Sequence, residues 1–103
     1  MKTWLQGVIG LLLPLAAAAA EIPVADAGAL ERALQEARPG DALVLAEGEW
    51  RDVVIRCQAE GTSAAPITLR AAVPGKTVFT GASGLRLGGR HVVVEGLWFR
   101  NPD

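Results

Sequence analysis

Few residues in this 103-residue chain are of types that do chemistry, and their spacing limits what they can do. A lysine can act as a base when its charged form is disfavoured. Beyond position 20 the only lysine is Lys76. It follows Pro74-Gly75, a turn dipeptide that places it at a solvated corner. His91 and Glu95 suggest a metal pair, but on an extended strand four residues span roughly 13 Å, too far to share an ion. His91 therefore reads as a turn or solvent-facing residue. Glu47 and Glu49 flank Gly48 and could face one way. No third group supports an acid–base pair, so they read as solvated turn carboxylates. Arg86, Arg90 and Arg100 either line a face that meets an anionic polymer or occupy ordinary outward positions. Cys57, the only cysteine, ends an apolar run and reads as a buried structural thiol. Trp50 and Trp98 read as packing or corner residues, with sugar stacking as the alternative. Gly81 to Gly84 is a turn without a phosphate-loop lysine after it. No residue is assigned a catalytic, cofactor-binding or metal-binding role.

The elements that would position these side chains are short. The stretch from Arg38 to Trp50 organises them. Pro39-Gly40 stops whatever helix precedes it, Asp41 can hydrogen-bond backbone in the turn, and Leu43-Val44-Leu45 is an apolar run of strand type. Upstream, Asp26 is a good N-cap. Leu30, Ala33, Leu34 and Ala37 recur at helical spacing, which predicts a helix over Ala27 to Ala37. It is short and alanine-rich, so it needs an apolar surface to cover. Glu21 to Ala25 reads as a lead-in. Downstream no helix is expected.

A weak repeat runs through the rest. Leu43-Val44-Leu45 is followed by Ile67-Thr68-Leu69 and Val92-Val93-Val94, at offsets of 24 and 25 residues. A second series takes Val53-Val54-Ile55, Thr77-Val78-Phe79 and Leu97-Trp98-Phe99, at offsets of 24 and 20. A period in the twenties marks a solenoid. Alternation supports it, with Leu69 and Ile67 on one face and Arg70 on the other. A β-sandwich explains short strands but not a period, and the leucine-rich-repeat pattern is missing.

The first twenty residues stand apart. Lys2 is followed by no charge until Glu21, across an apolar run that ends in alanines. This predicts a signal peptide over residues 1–20, cleaved after Ala20, with secreted or periplasmic residence and no stable membrane anchor afterwards. The remainder carries nine basic and eleven acidic residues, a net charge of −2, which leaves no electrostatic footprint for nucleic acid. One cysteine allows no intramolecular disulfide. About eighty residues is where a lone core becomes marginal.

Three blocks carry a family resemblance. They are Arg38-Pro39-Gly40-Asp41-x-Leu43-x-Leu45-x-x-Gly48-x-Trp50; Gly61-Thr62-x-x-x-Pro66-Ile67-Thr68-Leu69-Arg70-Ala71; and Leu85-x-Leu87-x-Gly89-x-x-Val92-Val93-Val94-Glu95-Gly96-Leu97-x-Phe99-x-Asn101. In this order they resemble the N-terminal end of polysaccharide lyase family 6, the family of alginate lyases and chondroitinase B. The resemblance implies an all-β fold, a right-handed single-stranded parallel β-helix whose N-terminal coils carry a capping α-helix. Residues 21–103 would be that cap and the first coils, an incomplete part of a longer protein. It also implies an acidic, uronate-containing polysaccharide as partner, alginate ahead of a glycosaminoglycan, and calcium as cofactor of the full-length enzyme. In that family the calcium-binding and catalytic residues lie in later coils, so none is carried over to this chain. The alternatives are a non-catalytic β-helical carbohydrate-binding or surface module, and another β-helix enzyme such as pectate lyase or mannuronan epimerase. A last coil without a cover is expected to offer unpaired backbone and an apolar rim, so residues 21–103 alone should associate or unfold in part.

Overall fold

The computed structural model describes residues 19–100. The stretch up to residue 18, most of the expected signal peptide, and Asn101 to Asp103 lie outside the described residues. The chain begins with strand β1 (Glu21–Val24) and helix α1 (Ala27–Glu36). Three strands follow, β2 (Ala42–Leu45), β3 (Gly48–Arg51) and β4 (Val54–Cys57). Three more repeat the course, β5 (Ile67–Ala71), β6 (Thr77–Thr80) and β7 (Gly84–Leu87), and then β8 (Val92–Glu95) and β9 (Leu97–Phe99). Every pairing is parallel, in sheets of order β1-β2-β5-β8, β3-β6-β9 and β4-β7. Parallel neighbours need a long crossover. Here the crossover is the rest of each coil, so one chain winds a right-handed parallel β-helix.

Helix α1 closes the lower end. The Asp26 carboxylate accepts a hydrogen bond from the Ala29 amide at 2.8 Å, a cap worth about 1 kcal/mol. The helix ends one residue short of the expected bound, because Ala37 is already extended ahead of Pro39. Leu30 and Leu34 are buried, and α1 packs on β1, β2 and β4. Its apolar stripe therefore covers the first coil. The turn after it is as expected. Gly40 has a φ of +92°, and the Asp41 carboxylate accepts from the Arg38 amide at 2.9 Å.

The core is a set of stacked columns. On the first sheet Ile22, Leu43, Leu69 and Val94 lie in register, beside Val24, Leu45 and Ala71. Leu43, Leu45, Ile67 and Leu69 are fully buried. On the second sheet Trp50, Phe79 and Phe99 stack. The Trp50 and Phe79 centroids are 5.5 Å apart, and those of Phe79 and Phe99 4.7 Å with near-parallel rings. Thr77 is buried among these columns because its hydroxyl lies 3.1 and 3.0 Å from the carbonyls of Leu45 and Ala46 and can donate to either. On the third sheet Ile55 and Cys57 face inward beneath Leu85 and Leu87.

The structure corrects two details of the repeat. Leu43 pairs with Leu69 and not with Ile67, which instead lies beneath Val92. A slip of two residues keeps each side chain on its own face, so hydrophobic alternation cannot detect it. The second apolar series mixed two sheets. Thr77 to Phe79 pairs with Gly48 to Trp50, whereas Val54 and Ile55 belong to the sheet with Gly84 and Leu85. Strand β3 was missed because it reads Gly-Glu-Trp-Arg, with Trp50 as its single large inward side chain. Strand β1 was missed for a different reason. Pro23 has no N–H to donate, which an edge strand tolerates.

Candidate functional site

Alternation along each strand divides the residues singled out above into inward and outward sets. Trp50 goes inward, is buried, and donates its indole N–H to the Ala46 carbonyl at 3.0 Å. It is a core residue and has no face free for a sugar. Cys57 is fully buried, as expected of a structural thiol. Trp98 goes outward and is 50% exposed, with the Arg100 guanidinium 5.7 Å from its ring centre.

The charged candidates do not converge. Lys76 is exposed in the turn after Gly75, and its carbonyl receives the Gly48 amide at 2.8 Å. His91 sits in the turn before β8 with a φ of +53°, and its carbonyl receives the Ile67 amide at 3.0 Å. Its role is in the backbone. Glu95 ends β8 in register with Arg70. Glu47 is exposed, whereas Glu49 turns across its sheet and accepts from the Thr80 hydroxyl at 2.6 Å. The two carboxylates flanking Gly48 are thus differently engaged and do not form an acid–base pair. Among the described residues no group of three His, Cys, Asp or Glu side chains is placed to hold a metal ion.

The arginines divide between sheets. Arg100 follows β9 on the second sheet, while Arg86 lies on β7 and Arg90 bridges to Glu60 on the third. The sheet partner of Arg86 is Arg56. Reasoning from sequence missed Arg56. Its signal was a spacing of thirty residues, longer than the assumed period because the corners of this coil are longer. Arg70 reaches outward and down to Glu21, at 2.8 Å. Asp52 was also missed. It adopts a φ of +55° and accepts from the Ala82 amide at 2.7 Å, so it shapes the corner between β3 and β4. The described coils therefore carry an outer surface studded with charge but no assembled reaction centre.

Comparisons with known proteins agree with this architecture. No curated protein matches by sequence. The family model described as Chondroitinase B matches residues 24–103. Among solved structures, the PL6 family alginate lyase AlyGC is 43% identical over 81% of this chain and 12% of its own, with a TM-score of 0.76. The PL6 family polysaccharide lyase Pedsa3628 from Pseudopedobacter saltans is 40% identical over 77% of this chain and 18% of its own, with a TM-score of 0.75. A mannuronic acid specific polysaccharide family 6 lyase from human gut microbiota is 31% identical over 80% of this chain and 20% of its own, with a TM-score of 0.72. The chain thus spans between a tenth and a fifth of the length of these relatives. With the family model matched over residues 24–103, the chain belongs to polysaccharide lyase family 6, the family of alginate lyases and chondroitinase B.

Proposed function

We propose that this chain is the N-terminal part of a secreted or periplasmic lyase that cleaves uronate-containing polysaccharide, alginate first, by β-elimination. The observation that carries the reading is the 43% identity to an alginate lyase over four-fifths of the chain, at a TM-score of 0.76. The chemistry sets demands. Elimination removes the C5 proton of a uronate, which is weakly acidic because the neighbouring carboxylate is already negative. The site must neutralise that carboxylate and place a base beside the proton. Calcium is proposed for the whole enzyme on family resemblance. The described residues do not fit a calcium site, since no carboxylate cluster is assembled among them, so no step is routed through them. Their contribution is structural. Helix α1 and the stacked columns give the following coils a rigid, capped base, on which strands can hold side chains more precisely than loops do.

Export is part of the same proposal. Strand β1 starts at Glu21, so cleavage after Ala20 leaves it whole. Among the described residues, the backbone bond lost is that from the Ala42 amide to the Ala20 carbonyl, 2.8 Å, and the amide passes to water.

The test follows the absorbance of the unsaturated uronate that elimination leaves behind. The protein encoded by the complete gene is expected to release it from alginate, and residues 21–103 alone are expected to release none. Absence of unsaturated product from alginate, chondroitin sulfate and dermatan sulfate with the complete protein refutes the lyase reading.

A further inference from the structure

The outer face of the β4–β7 sheet has a composition that packing does not explain. Its outward positions on β7 and just beyond are Gly84, Arg86 and Gly88, because Leu85 and Leu87 lie in register over the inward Ile55 and Cys57, Leu87 with half its surface exposed. Arg86 therefore rises from a floor with no side chain on either side of it along the strand. Its neighbour across the sheet is Arg56, about 4.8 Å away at the backbone. Like charges directly opposite on a sheet destabilise it. Neither guanidinium is relieved by an ion pair among the described residues, where the ion pair formed is Arg70 with Glu21 on another sheet. Glu31 lines the groove between α1 and β4 with Arg56 but does not pair with it. Glu60, in register with Arg90, lines a second groove with Glu31, Arg56 and Gln58, and it too forms no ion pair with Arg56. Next to the arginine pair, the Gln58 amide lies over Gly88, so close that a Cβ at position 88 would sit 2.6 Å from its nitrogen.

We propose that this face is a polysaccharide-binding strip, with Arg56 and Arg86 as its carboxylate-binding pair. The ligand class, a uronate polymer, rests on the lyase reading above. A guanidinium presents a planar fork of donors that matches a carboxylate. Two of them one strand apart offer neighbouring carboxylates separate forks. The open position at Gly84 leaves room for a sugar ring to lie against the backbone, and the Gln58 amide, which fills the space over Gly88, supplies a donor and an acceptor to hydroxyls. The anion also removes the repulsion that the apo sheet retains. Arg100 is not part of the strip, because it lies on the second sheet against Trp98.

The experiment is native electrophoresis of the complete protein, run cold through gels containing polymeric alginate. The variants are Arg56→Gln/Arg86→Gln and, on another sheet, Arg100→Gln. Two exposed charged contacts correspond to about a tenfold weaker retention constant at low salt for the double variant. The melting temperature is expected to hold or to rise slightly, because the double variant also removes the repulsion between the two arginines. Retention equal to wild type, a loss no larger than that of Arg100→Gln, or a marked fall in melting temperature overturns the proposal. Retention is read without turnover, so a protein that releases no unsaturated uronate refutes the lyase reading while the strip is still tested.

Discussion

Replacement of Leu69 tests the stacked core most directly. Leu69 is fully buried, between Leu43 below and Val94 above. Truncation to Ala leaves a cavity in a column that cannot collapse, since each neighbour is held in its own strand. Buried Leu→Ala changes cost about 2–5 kcal/mol. At about 1.4 kcal/mol per factor of ten, opening of the first coils becomes roughly thirtyfold to a thousandfold or more easier. Leu69→Asp adds an unpaired buried carboxylate, several kcal/mol more. That total reaches the whole net stability of about 5–15 kcal/mol, so the N-terminal coils should not form. The adjacent Arg70 faces out, and its pair with Glu21 is partly solvated, so Arg70→Ala costs about 1 kcal/mol or less. Hydrogen exchange on the complete protein, read over residues 42–45 and 67–71, separates the two cases. Equal acceleration by Leu69→Ala and Arg70→Ala would refute the inward assignment and with it the column register.

Two further outcomes follow from particular contacts. Gly89→Ala drives a Cβ into the Ala59 carbonyl oxygen, so the corner before β8 cannot close as it stands. Strongly reduced yield of soluble protein is expected, with Gly84→Ala, which meets open space, as a harmless control. N-terminal sequencing of exported protein is expected to begin at Glu21, and recovery of Met1 in a membrane fraction would overturn the export proposal.

How much of this was legible beforehand differs by element. The helix, its Asp26 cap and its stop at Pro39-Gly40 were plain in the residues, because capping and breaking are local effects. The inward and outward assignment of Leu69 and Arg70 was equally plain, since alternation has a fixed period of two. The pairing of strands was not. Leu43 was matched to Ile67 and Thr77 to Val53, because corners of unequal length shift the register without changing any strand's own pattern. The same blindness hid the Arg56–Arg86 pair, thirty residues apart and made neighbours only by the winding of the chain.

The sequence by itself determined the period-two faces, the capping helix, the solenoid class and, through its three motif blocks, the family. These are properties of short segments or of their order, and each is encoded within a few residues. Tertiary structure decided which coil position lies on which. It placed Trp50 in an aromatic column and not on the surface, turned Glu49 onto Thr80, and set Arg56 and Arg86 side by side across β4 and β7. The physical reason is that stacking register is set by the summed lengths of the strands and corners in each coil, a non-local quantity. A change of two residues in any corner moves every later neighbour without altering which side chains face the core.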